Sequence, residues 1–146
     1  MCLAISAKVE GFDKEALEQL ASQLNSDGWD FAVSKCILSF RVQPLLYFNG
    51  GPCACDRLSD GADWDAPTWA MTPDGANQLA REIASLALAA DAPMLLQALG
   101  GGDEPDHTVS LTLQELCDLA AASRLGTRTA YRAVDFAPFS TRRGVW

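Results

Sequence analysis

The chain has 146 residues, a mass of 15.6 kDa, a net charge of −8 and a pI of about 4.4. A chain of this length, 49% hydrophobic, can bury roughly 68–70% of its unfolded surface, so one domain is expected over 1–146 with no disulfide, metal or cofactor needed for stability. The acidity works against phosphate backbones and anionic lipid, and no stretch is long enough to span a bilayer, so nucleic acid and membrane are not the expected partners.

In chain order, Leu3, Ile5, Ala7 and Val9 alternate as a first strand. Asp13 is placed to cap a helix whose inner face is Leu17, Leu20, Ala21 and Leu24, with Phe12 and Leu17 as a hydrophobic staple. Asn25-Ser26-Asp27-Gly28 stops it. Trp29 to Val33 reads as extended, and Cys36, Leu38, Phe40 and Val42 alternate as a further strand, out of phase with the first stretch. Pro44 should break that run, leaving Leu45 to Phe48 as a short edge strand.

Asn49-Gly50-Gly51-Pro52 is turn chemistry and Asp56 to Pro67 is loop. Thr72-Pro73 announces a long second helix with an apolar stripe at Ala76, Leu79, Ala80, Ile83, Leu86, Ala87 and Ala90. Met94 to Leu99 and His107 to Leu111 are strands on either side of a glycine-rich connector. Thr112 and Glu115 form a capping box for a third helix with Leu113, Leu116, Cys117 and Ala120 inward, and Gly126 is expected to close it. Thr127 to Val134 is the last strand, and 135–146 is an aromatic, basic tail. The sum predicts an α+β domain, a two-layer sandwich of about three helices on a mainly antiparallel sheet.

Two groups of residues carry candidate chemistry. The first is the acidic loop: Asp60, Asp63 and Asp65, with Trp64 and Trp69 around Pro67. Clustered carboxylates speed encounter with a basic protein surface, and a large aromatic beside them can anchor it. Calcium-loop spacing is absent. The competing reading is a solvated loop with tryptophans packed inward, and the sequence is best met by one tryptophan of each kind. The second group is Cys53 and Cys55, with Cys36 within reach if the loop folds back over its strand. Two thiols one residue apart can form a reducible pair or begin a soft-metal site, but a closed zinc site needs two more ligands and His107 is the one histidine. The plainer reading is a tight turn with small half-buried side chains.

Other candidates are weaker. Cys2 would become an N-terminal nucleophile only on removal of Met1, and otherwise starts an edge strand. His107 has no triad, and no nucleophile elbow is present. Five cysteines, an odd number with three in apolar patterns, point to reduced thiols and a cytoplasmic setting. The expectation is therefore a small acidic intracellular protein-binding domain without catalytic activity, whose partner carries a basic patch. An inhibitor or immunity-type partner of a bacterial toxin is one concrete form. The alternative is a thiol-redox or metal-binding protein centred on Cys53 and Cys55, and a third class is an enzyme whose site is assembled from scattered residues.

Overall fold

The computed structural model describes residues 3–38, 41–48, 54–63, 65–100 and 104–135. The chain runs β1 (Leu3–Val9), α1 (Lys14–Ser26), β2 (Ala32–Leu38), β3 (Arg41–Tyr47), α2 (Pro73–Ala90), β4 (Met94–Gly100), β5 (His107–Thr112), α3 (Leu113–Ala121) and β6 (Thr129–Asp135). The strands form one six-stranded sheet in the order β2-β3-β1-β4-β6-β5. Every pairing is antiparallel except β5 with β6. That pair is parallel because α3 carries the chain back to the start of the sheet before β6 begins, as a parallel connection requires. The class is α+β, as the alternation of elements predicts.

The register decides which side chains meet. Ile5 lies opposite Ala98, Ala7 opposite Leu96 and Val9 opposite Met94, so the buried residues of β1 and β4 share one face. Tyr131 and Ala133 of β6 continue that face through their pairing with Leu96 and Met94. It shares a single core with Leu17, Leu20 and Leu24 of α1, Leu79, Ile83 and Leu86 of α2, and Leu113, Leu116 and Ala120 of α3. The helix starts follow local chemistry. Asp13 accepts from Ala16 N at 2.8 Å, Thr72 accepts from Gly75 N at 3.0 Å, and Thr112 and Glu115 exchange the two bonds of a capping box at 3.1 Å each.

Several expected boundaries move. The alternating run from Cys36 to Val42 is two strands of a hairpin, with Leu38 opposite Arg41 and residues 39 and 40, outside the described ones, between them. The register sets Cys36 opposite Gln43, Ile37 opposite Val42 and Leu38 opposite Arg41, so Val42 is in phase with Ile37 and the one alternating strand expected over 36–42 is corrected. Strand β2 starts at Ala32, because Trp29 N still bonds back to Leu24 O at 3.2 Å. Pro44 sits inside β3, and β3 lies in the interior of the sheet rather than at its edge. The paired residues of β1 and β3 are Ser6 with Tyr47 and Ala7 with Leu46, so Pro44 falls where β1 asks for no donor. The first strand is likewise interior, between β3 and β4. Cys2 lies outside the described residues, as does the expected tail from 136 onward.

Gly126 is not the cap of α3. The helix ends at Ala121, and Ser123 takes the positive φ of 58° that follows it. Gly126 is needed for closeness: a Cβ there would lie 2.6 Å from Thr129 Oγ1 and 3.2 Å from Tyr131 Oη, whose hydroxyl accepts from Gly126 N at 2.7 Å.

Candidate functional site

The acidic segment is tied down along its length. Ala54 N bonds to Leu3 O at 2.8 Å, which sets the start of the segment beside the first residue of β1. A single 3-10 turn, Cys55–Arg57, follows. Leu58 then pairs with Met71 as an isolated bridge, and Ser59 N bonds to Ala70 O at 2.9 Å, so the two ends of the loop close on each other. Thr68 pairs with Gly126, and Thr127 donates to both Pro67 O and Ala66 O at 3.1 and 2.7 Å. Ser123 Oγ accepts from Met71 N at 2.7 Å and donates to Trp69 O at 2.9 Å.

Two interior groups hold the segment from beneath. Trp69 is 1% exposed; its Nε1 donates to Ala98 O at 2.7 Å and its own N donates to Leu125 O at 2.8 Å. It packs inward, and its expected place on the partner-binding surface is corrected: a buried indole cannot reach a partner. Trp64 lies outside the described residues.

The second group is Arg57, 4% exposed, which meets Glu82 of α2, 1% exposed. Nη1 donates to Oε1, and Nη2 donates to Oε2 at 2.9 Å, a two-point contact that satisfies both planar ends. Its geometry depends on close approach. A Cβ at Gly75 would stand 2.8 Å from the backbone oxygen of Arg57, so the first turn of α2 can pack here only with glycine. Thr72 N also bonds to Arg57 O at 3.0 Å.

With the backbone held, the carboxylates face out. Asp56, Asp60, Asp63 and Asp65 are all exposed. Asp63 Oδ1 accepts from Asp65 N at 2.9 Å, Ala62 N bonds to Ser59 O and Ala66 N to Asp63 O, so the loop tip has its own turns. Among the described residues, none of Asp60, Asp63 and Asp65 forms an ion pair. Between the loop and α2 opens a cavity of about 190 Å³ lined by Asp56, Arg57, Thr72, Asp74, Gly75 and Gln78. That is room for about six waters. Asp56, Arg57 and Asp74 are its charged lining residues, and the Arg57 guanidinium meets Glu82.

The sequence reading misses Arg57, Glu82 and Asp74. Glu82 is buried along the otherwise apolar stripe of α2, beside Leu79, Ile83 and Leu86, and a charge in that position is the signal that a buried partner exists. Asp74 reads only as an ordinary acid in a first helical turn.

The thiols are less informative. Cys55 is half-buried, and its Sγ accepts from Leu3 N at 3.1 Å. Cys53 and the side chain of Cys36 lie outside what is described, and so does any geometry of the pair. Among the described residues, no three His, Cys, Asp or Glu side chains are grouped to hold a metal ion. Cys117 packs in the core with Sγ 3.7 Å from Ala80 O, and burial, with Asp118 beside it, pushes its thiol up to about 11. His107 Nε2 lies 3.2 Å from Thr129 Oγ1 at the start of β5. Among the described residues no helix is long and apolar enough to cross a membrane. Comparison of the chain with protein-family models, with curated proteins and with solved structures found no match in any of the three.

Proposed function

We propose that the protein is a non-catalytic binding domain that docks on a basic surface of another protein through the segment from Asp56 to Asp74. The observation that carries this reading is the contrast within that segment: its backbone is fixed by buried groups while Asp56, Asp60, Asp63 and Asp65 are exposed. Mutual repulsion of solvated carboxylates gives nothing to the fold, whereas a pre-ordered acidic surface meets a cationic partner without further ordering cost. An inhibitor or immunity-type partner of a basic toxin is the concrete form of this reading. The buried free thiol of Cys117 is in keeping with action in a reducing, cytoplasmic setting.

The test is capture of the partner from the native organism, followed by association kinetics. The triple variant Asp60→Asn, Asp63→Asn, Asp65→Asn should fold with a denaturation midpoint close to the original, because exposed substitutions shift stability by only about 0.5 kcal/mol. Its association with the captured protein should be slower at low salt and should lose most of its salt dependence. Equal association rates at low salt for the variant and the original would sink the electrostatic role of the loop.

A further inference from the structure

Strand β5 ends the sheet, and residues 107–110 are exposed. Val109 is 40% exposed, and with Val134 it makes up the exposed large hydrophobics among the described residues. An edge strand leaves every second N–H and C=O facing outward, and natural edges are blunted by charge, proline or a bulge. The sequence of β5, His107-Thr108-Val109-Ser110-Leu111-Thr112, has no acid, lysine, arginine or proline, and its one irregularity comes at its end, between Leu111 and Thr112. Among the described residues, nothing covers the edge at β5 over 107–111.

We propose that a second copy of the chain docks here, the two β5 strands pairing antiparallel about a two-fold axis at Val109. The strand is complementary to itself in that register. Val109 meets Val109 of the second copy, Thr108 meets Ser110, and His107 meets Leu111. Val109 shares its face with Tyr131, so the valine pair lies on the helix side and covers apolar surface now in water. Thr108 and Ser110 share theirs with Ala130 and Arg132, so two threonine–serine pairs form on the opposite side, where hydroxyls bond across strands. No like charges stand opposite each other in this register.

The flanks put no like charges directly opposite each other. The start of β5 carries the exposed pair Arg128 and Asp106, 3.9 Å apart, and its end carries Glu115 in the first turn of α3. A two-fold antiparallel pairing sets the start of one strand against the end of the other, with Asp106 opposite the uncharged Thr112 of the second copy. A strongly basic or acidic strand would find no charge complement here, because the strand itself is neutral and its surroundings mix Glu104 and Asp106 with Arg128 and Arg132. An isologous contact of this kind is closed, giving a dimer with one continuous sheet rather than a fibre.

Sedimentation equilibrium of the full chain from micromolar to near-millimolar concentration tests the proposal. The expected result is a reversible monomer–dimer equilibrium that Val109→Lys abolishes, two like charges then standing face to face, with the circular dichroism spectrum unchanged. Val109→Cys under mild oxidation supplies the register: a disulfide joining residue 109 of both copies is expected by peptide mapping. A chain that stays monomeric throughout overturns the proposal, and so does a dimer indifferent to Val109→Lys. Disulfides from residue 109 only to the native cysteines overturn the register and with it the two-fold axis. If the chain is monomeric and Val109→Lys instead abolishes binding of a different protein, the edge accepts a foreign strand and the second copy is ruled out.

Discussion

Helix α2 and the segment from Ala54 to Met71 that precedes it are built on opposite principles. The helix begins at a local cap, Thr72 with Pro73, and buries a stripe set by its own period, from Ala76 through Leu79, Ile83, Leu86 and Ala87 to Ala90. The segment has no period. Its conformation comes from partners far along the chain: Leu3 for Ala54, Glu82 for Arg57, Ala98 and Leu125 for Trp69, Ser123 for Met71. The difference teaches where exposed function can be placed. A helix face that must bury apolar residues has little freedom left, whereas a segment held by a few buried polar contacts can turn every other side chain to solvent.

The meeting point of the two regions is the Arg57–Glu82 pair, and breaking it should have the largest effect. Glu82→Ala leaves the guanidinium buried and unpaired, with an expected loss of about 3–5 kcal/mol. Replacing both, Arg57→Met with Glu82→Leu, should recover most of that loss in urea denaturation. If the double variant is as unstable as the single one, the pair is not the unit that joins loop to helix.

Ile83→Ala probes the helix alone. It removes buried atoms from the centre of the stripe and should cost about 2–5 kcal/mol, lowering the midpoint without altering the exposed loop. An unchanged midpoint would show that α2 is not the centre of the core. Trp69→Phe probes the segment alone. It keeps most of the buried ring but deletes the bond to Ala98 O, with an expected cost of about 1–3 kcal/mol. Hydrogen exchange should then rise in 58–71 more than in α2; equal protection in both would mean that the indole bond does not hold the loop.

The smallest effect is a matter of pH. Burial, followed by the charge of Asp118, raises the Cys117 thiol from 9.0 to about 11. The folded chain then holds this proton more tightly than the unfolded chain. The contribution to stability is complete below pH 9 and is lost as pH rises toward 11. The decline in thermal midpoint over that window should be shallower in Cys117→Ala, which lacks the titrating group. Parallel declines in the two proteins would place the pH dependence elsewhere.

Much of the architecture can be read from neighbouring residues. The caps at Asp13, Thr72 and Thr112 are local, since donor and acceptor lie three residues apart, and the structure forms all three. The stripes of the three helices are local for the same reason: the period of a helix is a property of its backbone, so Leu17 and Leu20, or Leu113 and Leu116, share a face wherever the helix packs. The pairing of β2 with β3 is less legible, because the apolar residues at Cys36, Leu38 and Val42 suit one continuous strand as well as two opposed ones, and only the register, with Ile37 opposite Val42, separates the two.

What the tertiary structure alone decides is everything that depends on register and long-range contact. Sequence shows two tryptophans near Pro67 but not that Trp69 points inward; that is settled by Ala98 O, which lies in a strand placed beside β1 only by the folded sheet. It shows Glu82 on the inner face of a helix, yet the cost of burying that carboxylate is met by Arg57 from a different segment. It shows a neutral strand at His107–Thr112 but not that this strand is the last one in the sheet. The physical reason is common to all three. Periodicity and capping are short-range properties of the backbone, while satisfaction of a buried polar group and the exposure of a strand edge depend on which other elements arrive there.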